Sequence, residues 1–118
     1  MRGFMTIIMV IVARRRRRGL VYDEEVKSHL RAIERKYHGL IRTTIEEQLC
    51  YEPEKETRNR KPLQRPVVFE ATWELRFGPN NRFRVFYAVS RQRREVQILA
   101  IGTKERGRLI IGREEIEL

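Results

Sequence analysis

The sequence predicts an α+β domain in which two N-terminal helices pack on an antiparallel β-meander of three to four strands. Two observations carry this. Apolar residues recur at helical spacing as far as Leu49, and after Val67 the period changes to two. The alternating stretches 71–77 and 82–89 are separated only by the turn residues Gly78-Pro79-Asn80-Asn81, which marks a hairpin.

Taken in order, residues 1–19 stand apart. An apolar run over 4–12 is followed by five arginines at 14–18. A spanning helix needs about 20 apolar residues, and a secretory signal carries its positive charges before the apolar stretch. Neither fits, and a membrane is not expected as a partner. Residues 1–19 read as an N-terminal extension or as a first strand with its Arg-rich run, since Ile7, Ile8, Val10, Ile11 and Val12 are strand formers; a membrane-surface anchor is the remaining alternative. Residues 20–118 read as a single domain.

Asp23 caps the first helix, Glu24 and Glu25 suit its positive first turn, and Val26, Leu30, Ile33 and Tyr37 share one face over about four turns. His38-Gly39 is expected to break or bend the chain. Leu40, Ile41, Ile45 and Leu49 then form a second stripe that stops before Pro53. Cys50 excludes an internal disulfide and reads as a small buried thiol, which fits a reducing cytoplasm. His29 and His38 have no cysteine partners at zinc spacing and are expected at the surface or at helix ends.

Residues 52–66 are dense in charge and read as a mobile basic connection through Arg58-Asn59-Arg60-Lys61-Pro62-Leu63. Val67, Phe69, Ala71, Trp73, Leu75 and Phe77 alternate along the first long strand, and residues 82–89 form the second. A polar turn at 91–94 leads to a third strand, 95–102, with Val96, Ile98 and Ala100 inward and Leu99 and Ile101 partly covering the outer side. Matching the apolar faces places Arg76 opposite Arg84, Leu75 opposite Val85, Trp73 opposite Tyr87 and Glu74 opposite Phe86. Two cations side by side repel unless an anion or solvent screens them, so the register points to a polyanion.

The charge agrees. The 118-residue chain has a formal net charge of +10, and residues 58–118 carry 14 Lys/Arg against 7 Asp/Glu. Such a field attracts nucleic acid or anionic membrane. The helices are expected on one sheet face, leaving the other open. Arg76, Arg82 and Arg84 from the hairpin, Lys61 from the basic connection, and Lys104 and Arg106 past the third strand converge on that open face. Glu74 is the only carboxylate within the hairpin segments 71–77 and 82–89. This chemistry suits a phosphodiester: cations stabilise a pentavalent phosphorane, a lysine among cations moves a proton, and attack by a ribose 2′-hydroxyl requires no metal. The alternative is that these are solvated surface arginines. No cofactor is implied.

Trp73-Glu74-Leu75-Arg76-Phe77, the segment Arg82-Phe83-Arg84-Val85-Phe86-Tyr87, and Val96-Gln97-Ile98-Leu99-Ala100-Ile101-Gly102 followed by Lys104-Glu105-Arg106 together resemble the C-terminal half of the RelE/ParE superfamily of toxins from bacterial type II toxin-antitoxin pairs. Lys61-Pro62-Leu63 is similar to the lead-in to that hairpin. The resemblance spans roughly residues 20 to 110. It implies a cognate antitoxin that wraps the toxin and, in the RelE branch, ribosome-dependent cleavage of mRNA in the cytoplasm. The resemblance also implies a catalytic set: Arg84 on the scissile phosphate, Arg76 in proton transfer or charge stabilisation, and Lys104 and Lys61 as further cations. Arg58, Arg60, Arg82 and Arg106 are then expected to bind RNA. Glu74 stands where some relatives carry a second lysine. Leu109-Ile110-Ile111 replaces the tyrosine that stacks on a base in RNA-cleaving members. The ParE branch, which acts on DNA gyrase, shares the scaffold without the RNase set, and a basic RNA-binding module is a third reading.

Overall fold

The computed structural model describes residues 17–64 and 69–117, so the readings of the 4–12 run, of the arginines before Arg17 and of Val67 lie outside the described residues. The chain runs through β1 (Gly19–Tyr22), a short helix α1 (Val26–Arg31), a 3-10 turn (Arg35–Tyr37) and the main helix α2 (His38–Leu49). Six strands follow: β2 (Arg60–Pro62), β3 (Trp73–Phe77), β4 (Phe83–Ser90), β5 (Glu95–Glu105), β6 (Arg108–Ile111) and β7 (Glu114–Ile116). They form one sheet in the order β2-β3-β4-β5-β6-β7 with antiparallel neighbours. β1 pairs parallel with the first half of β5, and β6 pairs with its second half. The α+β class is as expected, but one main helix stands on seven strands in place of two helices on three to four.

The helical correction has a local cause. The first apolar stripe ends its helix at Arg31, and Glu34 is extended (φ −52, ψ 133), so Ile33 and Tyr37 reach the core from a turn. His38 Nε2 lies 2.9 Å from the Ile33 carbonyl and pins that turn. Gly39 does not break the chain; it is the second residue of α2, where the first-turn N–H groups have no intrahelical bond to lose. Ile41, Ile45 and Leu49 of α2 bury against Leu75, Val85, Tyr87, Ile98 and Ile101 of the sheet. Cys50 is buried at the end of α2, as expected.

The β3–β4 register is the expected one, with Arg76 opposite Arg84, Leu75 opposite Val85 and Trp73 opposite Tyr87. The strand starts later than the alternation indicates, because Phe69 and Glu70 are left-handed (φ 48 and 62) and Phe69 is exposed. The described part of this segment, residues 52–64, is tied down where a mobile connection is expected. Arg60–Pro62 pairs with β3, the Tyr87 hydroxyl donates to the Pro53 carbonyl at 2.6 Å, and Arg91 grips both Glu54 oxygens at 2.9 and 3.3 Å.

Two features of β5 escape the alternation. Phe86 faces Ala100 while Tyr87 faces Ile98, so Leu99 is the extra residue of a bulge. One inserted residue reverses the faces beyond it. Ile101 therefore enters the main core, and Ala100 turns outward to join Phe86, the reverse of the expected assignment. Past β5, Arg106-Gly107 (φ 52 and 76) and Gly112-Arg113 (φ 59 and 73) make two-residue turns with both residues left-handed, the geometry that twists with a hairpin. They create the unexpected β6 and β7. Leu109 and Ile111 then form a second apolar cluster with Ala71, Phe86 and Ala100, so the outer face is partly covered where an open one is expected.

Between the ends of β1 and β6, the Ile101 N–H on the edge of β5 donates to His29 Nδ1 at 3.3 Å. His29 lies in the last turn of α1, one of the two places expected for it, but it is buried and not at the surface. Burial lowers its pKa, with Glu25 and Asp23 opposing more weakly. The unfolded chain then binds the proton more readily than the folded one. Stability is fully present above about pH 6.5, the unfolded value, and is lost as pH falls from there through the folded value. Urea midpoints between pH 7.5 and 5 are expected to fall, and His29→Gln, which keeps an acceptor without titrating, is expected to flatten that slope.

Candidate functional site

Strand alternation and pairing place Lys61, Glu74, Arg76 and Arg84 on the outer sheet face, with Lys61 opposite Glu74 and Arg76 opposite Arg84. Backbone bonds hold the Arg76 row at the sheet edge: its N–H donates to the Asn59 carbonyl at 2.7 Å, and Asn59 Nδ2 donates to its carbonyl at 2.8 Å. Lys104 shares this face, since its row partner Leu109 belongs to the outer cluster. Gly102 is the partner of Arg84 in β5 and brings no side chain into the row.

Glu74 lies at the centre. Its side chain is only 6% exposed, and its Oε1 accepts from Arg76 Nε and, at 3.4 Å, from Arg84 Nη1. Arg84 is 13% exposed and donates through Nε to the Asn81 carbonyl at 2.9 Å. Burial draws the Arg84 pKa down, Glu74 opposes this and Arg76 adds to it; an arginine still remains a cation. Arg76 is 40% exposed. Lys61 Nζ lies 3.5 Å from Glu56. The expected unscreened cationic face is therefore a compensated one: Arg76 and Arg84 share a single carboxylate and keep one net positive charge between them.

Not every expected residue converges. Arg60 is the core-side neighbour of Lys61, and its Nη1 donates to the Gln48 carbonyl at 2.6 Å, capping the C-terminal end of α2. Arg82 also turns to the helix side. Its guanidinium lies 5.3 Å from the Tyr37 ring centroid and 5.5 Å from that of Phe83, and it pairs with Glu105 at 3.1 Å. Both therefore lie apart from Arg76 and Arg84: Arg60 because adjacent strand residues cannot share a face, and Arg82 because it ends the 3-10 turn before β4 in helical geometry (φ −62, ψ −40), outside the strand's alternation. Arg58 and Arg106 are exposed, on the loop before β2 and in the β5–β6 turn. Leu109 and Ile111 are buried, so the region without the tyrosine offers packing instead of a stacking surface. The bridging role of Glu74 was signalled only by its place between basic rows. Among the described residues no group of three or more His, Cys, Asp or Glu side chains is placed to hold a metal.

The fold is similar to that of a chain in the crystal structure of the toxin-antitoxin complex RelBE2 from Mycobacterium tuberculosis. The TM-score is 0.56 and the identity 20%, over 72% of this chain and 95% of that one. At that identity the likeness is one of fold. No protein-family model and no curated protein matches the sequence. Among the described residues no helix is long and apolar enough to cross a membrane.

Proposed function

We propose that this chain is the toxin component of a toxin-antitoxin pair, acting in the cytoplasm and neutralised by a cognate antitoxin. The observation that carries the reading is the fold likeness to a chain of a toxin-antitoxin complex over nearly the whole of that chain. The motifs of the β3–β4 hairpin and of β5 support it from the sequence side, and the net charge of +10 suits an acidic antitoxin.

In this reading the toxin stops translation by cleaving mRNA on the ribosome without a metal. Attack of a ribose 2′-hydroxyl forms the new P–O bond and expels the 5′-oxygen. Arg84 and Arg76 stabilise the phosphorane charge, while Lys61 or Lys104 assists proton movement. A second reading, inhibition of a protein target such as DNA gyrase without RNA chemistry, is favoured by two observations: Glu74 already compensates the arginine pair, and Leu109 and Ile111 are buried where a stacking aromatic would be needed.

Induced expression tests both. Growth arrest relieved by co-expressing a small acidic protein encoded next to the gene is the expected result, and the absence of arrest would remove the toxin reading. New mRNA 5′ ends that require ribosomes select the first mode. Intact mRNA with loss of DNA supercoiling selects the second.

A further inference from the structure

Both guanidinium groups are held by their inner edges. Arg84 commits Nε to the Asn81 carbonyl and Nη1 to Glu74, and Arg76 commits Nε to Glu74. Among the described residues no hydrogen-bond partner takes the Nη groups of Arg76 or Nη2 of Arg84. Two arginines in register on adjacent strands would splay apart by repulsion. A carboxylate buried between them removes that repulsion, cancels one of the two charges and fixes both planes. The neighbouring Lys61–Glu56 pair adds no net charge.

We infer that Glu74 is a positioning and specificity-determining residue. It sets Arg76 and Arg84 as a two-pronged fork matched in charge to one singly charged phosphodiester, and it takes away most of the advantage that two uncompensated arginines would give the doubly charged phosphate of a monoester. This rests on the proposed function only in taking the diester to be an RNA backbone. The physical argument is that Glu74 repels a bound anion in proportion to the anion's charge. At a separation of a few ångströms and intermediate dielectric, Glu74 cancels about tenfold of the affinity that the two arginines lend the second charge of a monoester. Internal positions of a strand can therefore compete with terminal phosphates for the fork.

The test uses the purified full chain and two probes, a deoxydinucleoside monophosphate, which is a diester that cannot undergo 2′-hydroxyl attack, and a nucleoside 5′-monophosphate. Calorimetric titration at pH 8, where the monoester is doubly charged, is expected to show the monoester favoured over the diester by no more than about tenfold. Glu74→Gln keeps the shape and one acceptor oxygen, and is expected to tighten the monoester about tenfold relative to the diester. If that variant does not fold, the wild-type chain at pH 5 decides. There the monoester is singly charged, and its affinity relative to the diester should fall by no more than about tenfold, the advantage that one net positive charge gives a second negative one. An unchanged ratio in a folded Glu74→Gln, a wild-type preference for the monoester well above tenfold at pH 8, a wild-type fall well above tenfold between pH 8 and 5, or no binding of either probe would each overturn the inference. A shifted ratio in a protein that causes no growth arrest removes the toxin reading and leaves this one standing; arrest with an unchanged ratio does the reverse.

Discussion

Arg84→Ala is expected to abolish growth arrest on induction while the protein stays folded. The side chain is the more buried of the fork and is anchored at Asn81 and Glu74, which fixes its remaining N–H groups for the phosphate contact proposed above. Under the proposed cleavage mode, removing a preorganised cation of this kind lowers the rate by about 10²–10³-fold. The cost to the fold is smaller, on the order of 1–3 kcal/mol, because Glu74 keeps its bond to Arg76 and is not left unpaired. Circular dichroism and a urea midpoint separate the two effects. Arg84→Lys retains the charge but loses the two-point anchor, and should recover only part of the activity. Full arrest from a folded Arg84→Ala protein would take Arg84 out of the site and leave inhibition of a protein target as the surviving mode.

The largest loss of stability is expected from Gly102→Ala. A Cβ there would lie 2.6 Å from the Ile110 carbonyl oxygen and 2.7 Å from Ile111 Cγ1. A backbone oxygen cannot rotate out of the way, so the Gly102–Ile111 pair of β5 and β6 must spread. Overpacking of this kind costs about 2–3 kcal/mol. Amide exchange should show the damage concentrated in β6 and β7. Gly39→Ala provides the contrast, since nothing lies within 4 Å of its Cβ position and the helix gains a better former; stability should rise by up to about 1 kcal/mol. Equal effects at both glycines would mean that β6 does not lie against β5 as described.

Legibility followed the range of the interactions involved. The β3–β4 hairpin could be read residue by residue, because alternation and a four-residue turn are local and only one register buries Leu75, Phe77, Val85 and Tyr87 together. The C-terminal hairpins left a signal that went unread: each pairs an arginine with a glycine, Arg106-Gly107 and Gly112-Arg113, beside short alternating runs. The first helix was over-extended because Ile33 and Tyr37 sit at helical spacing from Val26, and spacing does not reveal that a turn delivers them to the same core.

The candidate site divides in the same way. Composition and alternation alone supplied the basic excess, the facing pair Arg76 and Arg84 and the presence of Glu74 on their side of the sheet, since each depends on charge count or on the two-residue period of a strand. Three outcomes needed the folded molecule. Glu74 bridges the pair, Arg60 and Arg82 serve the helix side, and His29 closes the edge of β5. They required it because each joins elements distant in sequence or turns on the rotation of a single long side chain, and neither leaves a periodic trace in the chain.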